Sequence, residues 1–193
     1  MTKTVLLGAI MAVALIGGSF VAADAAGVFS DIIKAKLNDG KKALNSLQIK
    51  TGAKIPTGDI LHGFGIVTDG SAAGAAAVAI VTTSHPGVYD SEEQTDANDP
   101  VWHNHVVALK GVDITECPAE LAVLDLTFES PGTTNVKSNH VGMNHIAYGG
   151  YTGQLASTSI DSGDDAALIV SFILSGSSSG NNICVTPVSS ATP

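Results

Sequence analysis

From residue 57 to 193 the sequence predicts an all-β domain, a sandwich or open barrel of about seven or eight short strands. Two observations carry that prediction. Short runs rich in Val, Ile, Leu and Thr are separated by clusters of Gly, Pro, Ser, Asn and Asp, the pattern of strands and their turns. One run, residues 121–129, alternates clearly: Leu124, Leu126 and Phe128 fall on one face, Asp125, Thr127 and Glu129 on the other.

The elements follow in chain order. Lys3 leads into an apolar run at residues 5–23, closed by Ala23-Asp24-Ala25. A short positive segment, a long apolar one and a small-residue cleavage site make residues 1–25 a signal peptide. At 19 residues the run also suits an uncleaved membrane anchor. Both readings take the rest of the chain out of the cytosol, so the expected location is secreted or extracytoplasmic.

Residues 26–56 read as a basic arm and linker. Phe29, Ile32, Ile33, Leu37, Leu44 and Leu47 recur at roughly helical spacing, with Lys34, Lys36, Lys41 and Lys42 between them. The expectation is a short amphipathic helical arm, capped by Ser30 and interrupted at Asn38-Asp39-Gly40. Its lysines suit either an anionic membrane surface, contacted through residues 28–50, or the chain's own acidic domain. Strands are expected at 60–68, 75–84, 101–109, 121–129, 141–148, 166–174 and 183–188. The nearly continuous apolar run 166–174 reads as a central strand. The alanines of 72–79 suit a helix as well as a strand.

The chain carries 18 acids against 9 basic residues, all lysine, for a net charge of −9. Residues 28–54 hold six lysines and two acids, a balance of +4, whereas 55–193 hold two lysines and fifteen acids, a balance of −13. Arginine, the usual bidentate reader of phosphate and guanine, is absent, which argues against nucleic acid. The acidic body favours cations, metal ions or basic surfaces. A basic arm on such a body also allows head-to-tail contact between copies, hence a homo-oligomer. Cys117 and Cys184 lack CxxC spacing and are expected to form one disulfide outside the cytosol.

The histidines carry the candidate chemistry. His103 and His105, in Trp102-His103-Asn104-His105, would point to the same face of a strand, side by side. His140, His145 or His85 would complete a site for one transition-metal ion, zinc or copper. His140 and His145 are an odd number of residues apart, so a regular strand would aim them at opposite faces. His62 reads as a hydrogen-bonded strand or turn residue. Calcium at the acidic loop 90–99 is the alternative metal expected.

Neither a cupin, a blue-copper domain nor a copper–zinc superoxide dismutase accounts for the pattern. A cupin would place a glutamate near Leu109 and Lys110, and a blue-copper site would need His and Met soon after Cys184. G-x-S-x-G, H-E-x-x-H and phosphate-loop motifs are missing. Two readings result: an exported β protein that binds a metal rather than catalyses, or a surface or matrix protein acting by self-association.

Overall fold

The computed structural model describes residues 27–56, 60–85 and 101–193. The signal or anchor segment at 1–25 and the calcium candidate at 90–99 lie outside the described residues. One helical turn, α1 (Gly27–Ser30), precedes β1 (Ile32–Gly40), β2 (Ala43–Thr51), β3 (His62–Thr68), β4 (Ser71–Ala72), β5 (Ala77–Ser84) and β6 (His103–Gly111). Then come β7 (Leu121–Leu126), β8 (Thr133–Lys137), β9 (His140–Ala147), β10 (Gly150–Thr152), β11 (Ser159–Asp161), β12 (Ala166–Gly176) and β13 (Ile183–Ala191). The described residues are all-β: eleven strands follow residue 57, where the sequence suggested seven or eight, and two more lie in 32–51.

Six strands form a closed antiparallel barrel in the order β12-β13-β7-β6-β5-β3, with β3 pairing back onto β12. The barrel is therefore closed, not open. A four-stranded sheet, β1-β2-β9-β8, packs against its wall, and β10-β11-β4 forms a small third sheet. The run that read as a central strand is one: β12 is paired along both flanks. The alanine-rich stretch resolves into the end of β4, a turn and the start of β5, with no helix.

The helical arm is overturned. Residues 32–40 and 43–51 form a β-hairpin that turns at Lys41-Lys42. Two bulges explain the misleading spacing. Ile33 drops out of the β1 ladder between Ile32 and Lys34, so Ile32 and Ala35 share a side although three residues apart. Asn45 drops out of β2 and brings Leu44 and Leu47 to the same buried face in the same way. Between the bulges the period is two: Ala35 and Leu37 lie inward, Lys34 and Lys36 outward.

Two apolar layers result. Leu44, Leu47, Ile49, Met143 and Ile146 of the sheet meet Phe64, Ile66, Val78, Ile80 and Val106 on the outer wall of the barrel. The lumen is filled by a second set from the alternate positions, including Val81, Val107, Leu109, Leu126, Val170, Phe172 and Val185. A six-stranded barrel is narrow, and glycine makes room in it. A Cβ at Gly63 would overlap the Phe172 ring, and one at Gly65 would press on Val81. The alternation read in 121–129 is corrected here too. Ala108 faces Asp125 and Leu109 faces Val123, so Leu124 bulges out and Val123 and Leu126 turn toward the lumen.

The barrel's thinnest seam lies between β13 and β7, where Cys184 opposite Ala122 is the ladder pair. The Cys117–Cys184 disulfide closes that seam, with Cα atoms 5.4 Å apart and both cysteines fully buried. Its loop of 67 residues corresponds to about 4 kcal/mol in the loop-entropy estimate. Replacing both cysteines by serine should lower unfolding stability by about that amount, read from denaturant midpoints. Two titratable thiols in the native protein would contradict the bridge.

Candidate metal centre

β6 is flanked by β5 and β7, and its alternation sends His103, His105, Val107 and Leu109 toward the lumen. On β5 the matching positions are Val81, opposite His105, and Thr83, opposite His103. His85 continues that row one residue beyond the strand end. The three imidazoles therefore meet at the end of the barrel where β5 finishes and β6 begins. Their ligand nitrogens lie within 4.8 Å of one another. Ring centroids are 4.6 Å apart for His85–His103, 4.7 Å for His103–His105 and 5.9 Å for His85–His105. All three are buried, at 3%, 0% and 1% relative exposure for His85, His103 and His105.

Backbone carbonyls orient two of the rings. His103 Nδ1 lies 2.9 Å from the Val101 carbonyl oxygen and His105 Nδ1 lies 2.6 Å from that of Thr127. A carbonyl only accepts, so each Nδ1 carries the proton and donates it. Nε2 is then the atom left to act as ligand, and a second hydrogen bond of this kind commonly fixes a ligating histidine. Three imidazoles without thiolate suit zinc or copper and can surround an ion 2.0–2.1 Å from each nitrogen. Both cysteines are in the disulfide and take no part.

Thr127 is held in place as well. Its N–H donates to the Val106 carbonyl, and its hydroxyl accepts the Val106 N–H at 3.1 Å. Two residues earlier, Asp125 is fully buried. One carboxylate oxygen accepts the N–H groups of Leu155 and Leu126, and the other accepts the N–H and hydroxyl of Thr158. Burial works against its charge. The bonds from Thr158, Leu155 and Leu126 outweigh that penalty and hold the carboxyl below its usual range. Asp125 thus ties the 154–158 loop to the strand that presents the Thr127 carbonyl.

The other predicted histidines stay outside this cluster. His140 and His145 are both exposed on β9, in the four-stranded sheet. Their odd spacing is absorbed by a bulge: His145 has φ +57° and is skipped together with Asn45, leaving Leu44 opposite Ile146 and Ser46 opposite Asn144. His62 is the hydrogen-bonded strand residue expected of it, with Nδ1 2.8 Å from the Ile60 carbonyl and its ring edge-on to Phe29 and Trp102. Burial among these rings lowers its pKa, against a smaller opposite effect from the Ile60 carbonyl. The carbonyls of Val101 and Thr127 left no trace in the sequence, since backbone groups carry no residue signature. Asp125 read there only as an outward position.

No protein-family model, no curated protein and no solved structure matches this chain. The site's meaning rests on its own geometry.

Asp125→Ala should lower stability by about 3 kcal/mol or more, because three backbone N–H groups lose their acceptor. The sign with pH follows from the lowered folded-state pKa. The carboxylate's contribution is complete above the unfolded value of about 3.9 and is lost as pH falls through the folded value. Melting curves of both proteins on acidification should therefore converge. An equal gap at all pH values would contradict this account.

Proposed function

We infer that the chain is an exported β-barrel protein that holds one transition-metal ion, zinc or copper, through His85, His103 and His105. The observation that carries this reading is the convergence of three buried imidazoles on one point, two of them oriented by backbone carbonyls through Nδ1. Burial of every donor favours retention of the ion over turnover of a substrate, and binding is the role assigned. Export is supported by the leader pattern at residues 1–25 and by a disulfide, a bond that persists in oxidising compartments. No helix among the described residues is long and apolar enough to cross a membrane.

The alternative, self-association, rests on the acidic body and its basic segment; pairing through the apolar run 166–174 does not add to it, because β12 is paired on both flanks inside the barrel wall.

The test is metal content of the full chain after incubation with zinc or copper and removal of excess ion. About one ion per chain is expected, with affinity falling on acidification because protons compete for the ligand nitrogens. His103→Ala with His105→Ala should abolish binding while circular dichroism still reports the β fold. His140→Ala with His145→Ala should bind as the parent does. Metal retained in the first variant, or lost in the second, would overturn the assignment.

A further inference from the structure

The outer face of the four-stranded sheet carries a charge pattern that the metal reading does not use. Register places Lys34 opposite Lys50, Lys50 opposite His140, and His140 opposite Lys137, so one row crosses all four strands as Lys, Lys, His, Lys. All four are exposed. The next row is Lys36, Gln48, Gly142 and Asn135, and the third is Asn38, Ser46, Asn144 and Thr133. These twelve positions hold four of the nine lysines and none of the eighteen acids of a chain with net charge −9.

Like charges directly opposite one another destabilise a sheet, so the Lys34–Lys50 pair is a standing cost in the isolated molecule. An anionic partner would turn that cost into attraction. Strands about 4.8 Å apart make the first row a straight line of four side chains about 14 Å long. Beside it Gly142 leaves a shallow depression of about 240 Å³, bordered by Gln48, Asn135, Lys137, His140 and Asn144. The amides of Gln48, Asn135 and Asn144 there can hydrogen-bond a hydroxyl-rich chain.

We propose that this face docks a linear acidic polysaccharide, with the lysine row pairing its carboxylates and the Gln48–Asn135–Asn144 amides meeting its sugar hydroxyls. Two observations select this occupant. The charges form a line, as the carboxylates of an extended polymer do. The twelve positions offer no apolar or aromatic anchor, and the lone exposed Ile33 beside Lys34 is too little apolar surface to seat a bilayer.

The experiment uses the full chain with polygalacturonate as probe and neutral dextran as control, at several salt concentrations. Binding to polygalacturonate alone is expected, weakening with salt. The triple variant Lys34→Gln, Lys50→Gln, Lys137→Gln should bind at least about tenfold more weakly. Its melting temperature should be equal to or above the parent's, since the opposed lysines are gone. Lys41→Gln, Lys42→Gln, Lys110→Gln removes the same charge off the face and should change affinity by less than about threefold. Equal losses in the two triples, or no binding by the parent, would overturn the proposal. So would binding to phosphatidylglycerol vesicles without binding to the polymer, which would make a membrane the occupant. Salt-sensitive self-association abolished by the first triple, without polymer binding, would assign the face to a second copy instead.

Discussion

Closure of the six-stranded barrel is the constraint on which the rest of the molecule depends. Because β3 returns to β12, the sheet has an inside, and alternate residues of every strand must fill it or face outward. The inward set forms one apolar column, and the three imidazoles lie at its end. In an open sheet the same row of β6 would face solvent along part of its length, and His105 would not be buried against the Thr127 carbonyl. The disulfide acts at the weakest point of this closure, where β13 and β7 share little ladder pairing. Its position also explains why a covalent link is useful there: few hydrogen bonds hold the seam.

The period-two signal in the sequence located the barrel strands. Every run read as a strand after residue 60 contains one, because each alternates or runs apolar between turn residues. The misread hairpin and the misassigned faces share one cause. At Ile33, Asn45, Leu124 and His145 the chain inserts a residue that leaves the ladder, so neighbours three apart share a face. Three-residue spacing is also the mark of a helix, and in the first hairpin the two cannot be told apart by spacing alone. Only pairing with β9 decides the matter, and that contact lies about a hundred residues downstream. The short strands β4, β10 and β11 gave no signal because two or three residues are too few to show a period.

The metal candidate was half legible for a similar reason. His103 and His105 are separated by two within one strand, so local geometry suffices to bring them together. The third partner depends on which strand lies beside β6, and that is a property of topology. β5 and β6 are sequential and antiparallel, which places the end of one beside the start of the other and brings His85 to the pair. β9 belongs to a different sheet, so His140 and His145 lie on the far side of an apolar layer built by Met143, Ile146, Ile80 and Val106.

That same layer separates the molecule's two polar features. The charge asymmetry in the sequence appeared as a basic stretch followed by an acidic body, a description along one dimension. Folding adds Lys137 and His140 from the acidic body to Lys34 and Lys50 from the basic stretch, and aligns them across strands. The result is a surface whose sign opposes that of the whole molecule, which neither segment's net charge discloses. The imidazole cluster depends on the lumen side of β5 and β6, the lysine row on the solvent side of the neighbouring sheet. The side chains of the two features project into different spaces. Substitutions on the exposed row therefore leave the packing around His103 and His105 unchanged, and additivity is the physical expectation for sites that share no partners.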